Sequence, residues 1–110
     1  WELARRFSEE ELQLGNPERL SWANANLMEL YVLQPLIKEL KADSQSAASE
    51  AEKYAFKFRS VTDPRSVDLH STKRQMQRYV GFFLEVNEEM KVAADIATRV
   101  LGILPESLKY

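Results

Sequence analysis

Arg65 and His70 are the residues whose types and spacing could handle a phosphodiester. A fixed cation can stabilise a phosphate, and an imidazole can take up and return a proton near neutral pH. The pair lies in segment 53–78, which holds 7 basic and 2 acidic residues, a net +5. Within it Lys57, Arg59, Arg65, Lys73, Arg74 and Arg78 form a candidate anion-binding set for the phosphates of RNA or DNA, with Tyr54, Phe56 or His70 available to stack on a base. Arg74 and Arg78 are one helical turn apart and share a face, so a local basic patch is expected there. The competing use of these cations is structural. Residues 1–52 hold 10 acidic and 5 basic residues, which the middle segment would balance, and the whole chain carries a formal charge of only −2.

The spacing of Arg65 and His70 resembles the R-x4-H spacing of HEPN ribonucleases, all-helical domains of similar size in which two copies juxtapose their Arg and His pairs at a dimer interface. The resemblance implies that Arg65 would stabilise the scissile phosphate and His70 would serve in proton transfer. It covers two residues and a helical context, and Ser66 follows the arginine where the family usually has a larger polar residue.

Other catalytic arrangements are missing. The chain has no cysteine, which removes thiolate nucleophiles, disulfides and cysteine-based zinc sites together. Its 3 glycines are isolated, so no phosphate-cradling loop is present. With 1 histidine, a transition-metal site is not expected. Glu9, Glu10 and Glu11, or Glu85, Glu88 and Glu89, offer carboxylates, but no E-x-x-H pair accompanies them and they read as solvated faces. The leading expectation is therefore no catalytic set, no metal and no cofactor.

The elements that must position these residues are helical. A chain of 110 residues with 45% hydrophobic and 29% charged residues is sized for one domain with an ordinary core, and 3 Gly with 4 Pro argue against a turn-rich β protein. Gly15, Asn16 and Pro17 read as a helix stop followed by a cap and a start, so a short first helix ends near Leu14; Ser8 with Glu11 offers a later start inside it. A second helix runs from Pro17 to about Ala42, with a kink or break near Leu33 and Gln34 because Pro35 removes a backbone donor. Asp43 to Ser46 caps a third helix from about Ala47 to Arg59, and Asp63-Pro64 is a second cap-plus-proline signal. Met76, Tyr79, Phe83, Val86, Met90, Ala93, Ala97, Val100 and Leu104 alternate steps of 3 and 4. That seam predicts one helix over 71–103, roughly 50 Å long, with flanking apolar residues too numerous for a two-stranded coil. Pro105 closes it, and residues 106–108 form a last short turn.

The expected fold is all-α: a four- to five-helix bundle over residues 1–110, with a long C-terminal helix and a proline-kinked second helix. The chain opens at Trp1 rather than Met, which leaves room for a removed tag, a removed signal or a neighbouring domain of a longer chain. No run approaches the roughly 18 apolar residues of a membrane span, and the cytoplasm is the default compartment. The favoured function is a non-enzymatic interaction or assembly module, binding a protein partner or its own copy through apolar surface that its helices leave uncovered. Phe82, Trp22 and Trp1 are the candidate partner-binding residues, since exposed aromatic surface marks interfaces. The alternative is nucleic-acid binding through segment 53–78, with or without cleavage by Arg65 and His70.

Overall fold

Alanines on the third helix let its neighbours come close. In the computed structural model, which describes residues 1–37, 40, 43–83 and 88–106, the order is α1 (Glu2–Leu14), α2 (Pro17–Leu33), a 3-10 turn (Gln34–Leu36), α3 (Ser44–Val61), α4 (Val67–Phe83) and α5 (Glu88–Ile103). Helix α3 buries Ala47, Ala48, Ala51, Tyr54, Ala55 and Phe58, a helical face whose first two turns have no side chain beyond Cβ. Against that face pack α2, with buried Leu27, Met28 and Val32, and α5, with Ile96, Ala97 and Val100. Leu69 and Met76 of α4 close the core. The result is an all-helical five-helix bundle, with no strand among the described residues.

Local chemistry explains most boundaries. Gly15 ends α1 in the left-handed conformation at φ 67°, and its N–H donates to the Leu12 carbonyl. Pro17 opens α2, where a missing N–H is harmless. Helix α2 stops at Leu33 and continues as the 3-10 turn carrying Pro35, the break expected from that ring. Asp43 caps α3 by accepting the N–H groups of Gln45 and Ser46. The cap of α4, however, is Ser66 rather than Asp63. Ser66 Oγ accepts the Leu69 N–H at 3.2 Å, while Asp63 Oδ1 accepts the Arg65 N–H at 2.9 Å and shapes the preceding turn. Nor does α1 start at Ser8: it begins at Glu2, and Ser8 is buried in its middle.

The single long helix over 71–103 is replaced by α4 and α5, which lie antiparallel against each other. Lys73 Nζ donates to the Pro105 carbonyl at 3.2 Å. In one continuous helix those positions would stand about 48 Å apart at 1.5 Å per residue, more than the 37 Å longest dimension of the molecule. The seam is nonetheless inward: Met76, Ala93, Ala97, Val100 and Leu104 are buried, and Tyr79, Phe83 and Met90 are half-buried. Both helices turn the same stripe toward one core, so the 3,4 pattern continues across them. Val86 and Glu85, residues 38, 39, 41 and 42 of the expected second helix, and residues 107 and 108 of the expected last turn lie outside the described residues.

Because Ala51 and Ala55 are fully buried between helices, Ala51→Leu should lower stability by about 1–3 kcal/mol through overpacking. Ala→Ser at exposed Ala4 should change it by less than about 0.5 kcal/mol. Denaturant melts followed by circular dichroism distinguish the two.

Candidate functional site

Helix α1 turns its apolar stripe away from the bundle. Leu3, Phe7 and Leu14 are separated by steps of four and seven, which places them on one helical face, and they are 83%, 50% and 77% exposed. The opposite face carries Arg5, Ser8 and Leu12, and it is this face that meets α2: Ser8 is buried, Arg5 and Leu12 are half-buried. A helix normally buries its apolar stripe and solvates its polar one. Here Arg5 is made tolerable near the interface by bidentate contact with Glu9 at 2.9 Å and by Glu2 at 2.8 Å, and those acceptors in turn hold its guanidinium firmly protonated. Glu2, accepting from Arg5, sits below the usual carboxylate range.

Three contacts pin α1 along α2, the only element it packs on among those described. At one end Trp1 Nε1 donates to the Leu30 carbonyl at 2.6 Å. That carbonyl lies in the last turn of α2, close to the Pro35 break. In the middle Phe7 meets Trp22 edge-on at 6.0 Å, and at the other end Arg19 reaches Glu11 at 3.3 Å while lying 4.6 Å over the Trp22 ring. Beside Phe7 a groove of about 380 Å³ opens between the helices, lined by Ala4, Phe7, Trp22, Asn26, Leu30 and Leu33 among others. The exposed stripe and this groove share Phe7, so they form one continuous apolar surface.

Glu29, which also lines this groove, accepts from the Tyr79 hydroxyl and, at 3.4 Å, from Gln75 Nε2, which also donates to the Tyr79 oxygen at 2.8 Å. This network ties α4 to α2. Burial and the neighbouring Glu29 push the Tyr79 hydroxyl up to about 12, because its phenolate would be poorly solvated beside a carboxylate.

The candidates from sequence fall into different places. Trp1 is committed to its own chain, edge-on to Tyr31 at 5.2 Å; Tyr31 in turn stacks on Tyr54 at 5.9 Å. Trp22 is half-buried at the groove. Phe82, 70% exposed, stands on α4, the far end of a stripe with exposed Arg74 and Arg78 at four-residue steps. The basic segment does not make one patch by helix packing, since α3 and α4 do not contact one another. Lys53 and Lys57 sit 4.9 and 5.3 Å over the Tyr54 ring, Lys73 is drawn to Pro105, and Arg59 and Arg65 are exposed. His70 is half-buried with Nε2 shielded from solvent, while the Arg65 side chain is exposed in the preceding turn. Asn24 donates to Leu20 of its own helix at 2.9 Å rather than across an interface, and Asn26 lines the groove. Among the described residues no group of histidines and carboxylates could hold a metal ion, and no helix is long and apolar enough to cross a membrane.

Leu3, Phe7 and Leu14 were not among the sequence candidates. Their spacing was a readable signal of an apolar face, but Leu12 on the other side offered an equally plausible inward anchor. No protein-family model, curated protein or solved structure matches this chain.

The Tyr79 contacts have a pH signature. Its raised value makes the folded state hold a proton that the unfolded chain releases near pH 10. Stability should therefore be unaffected by this group below pH 10 and fall as pH rises from 10 to about 12. Ultraviolet tyrosinate titration should show a last step that Tyr79→Phe removes, together with that part of the alkaline loss of stability.

Proposed function

We propose that the protein is a non-enzymatic helical interaction module whose contact surface is the outward face of α1 with the adjoining groove. The observation behind this reading is the inverted burial of α1: Leu3, Phe7 and Leu14 are exposed while Arg5 and Ser8 face inward. Burying a leucine or phenylalanine side chain is worth about 1.5–3 kcal/mol. Leaving three of them outside on one stripe forgoes several kcal/mol that a partner surface would recover. The rim is polar, with Glu10, Gln13 and Arg6 exposed around the stripe, as interface rims are.

A second reading rests on the exposed Arg74, Arg78 and Phe82 stripe of α4. It would serve phosphate contacts with one aromatic for stacking. Less supports it, because several cations of segment 53–78 are engaged within the chain. The nuclease version has least support, since a proton-transfer group needs access and His70 Nε2 is shielded.

Two experiments check these readings. An environment-sensitive apolar dye should bind the native chain in the low micromolar range of protein, and the double variant Leu3→Gln, Leu14→Gln should lose most of that signal with unchanged helicity and unfolding midpoint. A native chain that leaves the dye dark would sink the α1 reading. For the alternative, oligonucleotide binding at 50 and 200 mM salt, a span over which several phosphate contacts cost about 10³-fold or more, should show no binding that Arg74→Glu, Arg78→Glu abolishes.

A further inference from the structure

We infer that the occupant of the α1 face is α1 of a second copy of this chain, paired antiparallel about a two-fold axis. This rests on the interaction reading above and supplies its partner.

The stripe is self-complementary. Its midpoint lies between Ser8 and Glu9, halfway from Leu3 to Leu14. A two-fold axis at that level sets Leu3 of one copy opposite Leu14 of the other, twice, and brings the two Phe7 rings to within one turn at the centre. Such an interface is isologous, the same patch on both subunits.

The charges fit the same register. Arg6 and Glu10 flank the stripe on one side, and the two-fold maps that side onto itself, so Arg6 of each copy meets Glu10 of the other. Within the chain Arg5 takes Glu2 and Glu9, Arg19 takes Glu11, and among the described residues Arg6 and Glu10 enter no close ion pair. A parallel pair, with its two-fold along the helices, would instead carry the Arg6 and Glu10 flanks to opposite sides of the interface, where neither residue meets its counterpart. A membrane is the poorer occupant, because α1 carries Glu2, Glu9, Glu10 and Glu11 against Arg5 and Arg6, and anionic lipid would repel it. Among the described elements α2 alone packs on α1, on the face of Arg5, Ser8 and Leu12, and the stripe of Leu3, Phe7 and Leu14 is exposed.

The size of the face sets the strength. A helix of 13 residues is about 20 Å long, so each copy offers a few hundred Å², and the groove beside Phe7 adds to it. That is at the small end of specific interfaces, so a weak, concentration-dependent dimer is expected.

Sedimentation velocity of the full chain from about 5 to 500 µM tests the inference. The mass should rise from 12.7 kDa toward twice that value. Arg6→Glu and Glu10→Arg should each weaken association about tenfold or more, and an equimolar mixture of the two should restore it, because the mixed pair regains both opposite-charge contacts. Leu3→Gln with Leu14→Gln should abolish it at unchanged helicity. A wild-type chain that stays monomeric to 500 µM yet binds the apolar dye overturns the second copy and leaves the interaction face standing. A chain that is monomeric and leaves the dye dark removes both. Dimers indifferent to the two charge reversals overturn the antiparallel α1 pairing.

Discussion

Close approach of α3 to its neighbours is the constraint on which the remainder of this bundle depends. Ala47, Ala48, Ala51 and Ala55 present almost nothing but backbone and Cβ toward α2 and α5, so the three helices lie near enough for Phe58, Leu27, Met28, Val32 and Val100 to be fully buried together. A larger residue at any of these alanines would have to push a whole helix outward. The large side chains are correspondingly collected at the ends and edges of the α3 face, in Tyr54 and Phe58.

Once that layer is set, the other two helices are attached by different means. Helix α4 is held along α5 by the shared inward stripe, and to α2 by the Glu29, Tyr79 and Gln75 hydrogen bonds. Polar ties of this kind specify position more than they add stability. Among the described elements, helix α1 is held by α2 alone, through the Trp1 indole on the Leu30 carbonyl, the Phe7 and Trp22 edge contact, and the Arg19 and Glu11 pair. Fastened on one side, α1 leaves its apolar stripe of Leu3, Phe7 and Leu14 exposed on the other.

How much was legible in the sequence differs by element, for physical reasons. Gly15, Pro17, Pro35 and Asp43 act through their own backbone restrictions or short side chains, within a few residues, and each did what its chemistry predicts. The division between α4 and α5 was not legible. Two helices facing one core can continue a single 3,4 pattern, and periodicity reports which residues face inward, not whether the axis reverses. Trp1 has no nearby sequence to pack on, yet it finds Leu30 and Tyr31 because α1 folds back along α2. The Asp63 signal was read as a cap when Ser66, three residues on, satisfies the helix donor instead; both residue types suit the role, and only the turn geometry chooses.

The amino-acid sequence by itself determined that this chain is all-helical, where the breaks marked by Gly15, Pro17 and Pro35 fall, that it has no cysteine chemistry, and which stripe of each helix is apolar, because these follow from side-chain chemistry and local backbone freedom. Only the tertiary structure decided which stripes are consumed. Leu12 and Leu14 are both apolar residues of α1, and the one turned toward α2 is half-buried while the other stands 77% exposed. Burial is a property of the space between helices, and no residue carries it alone.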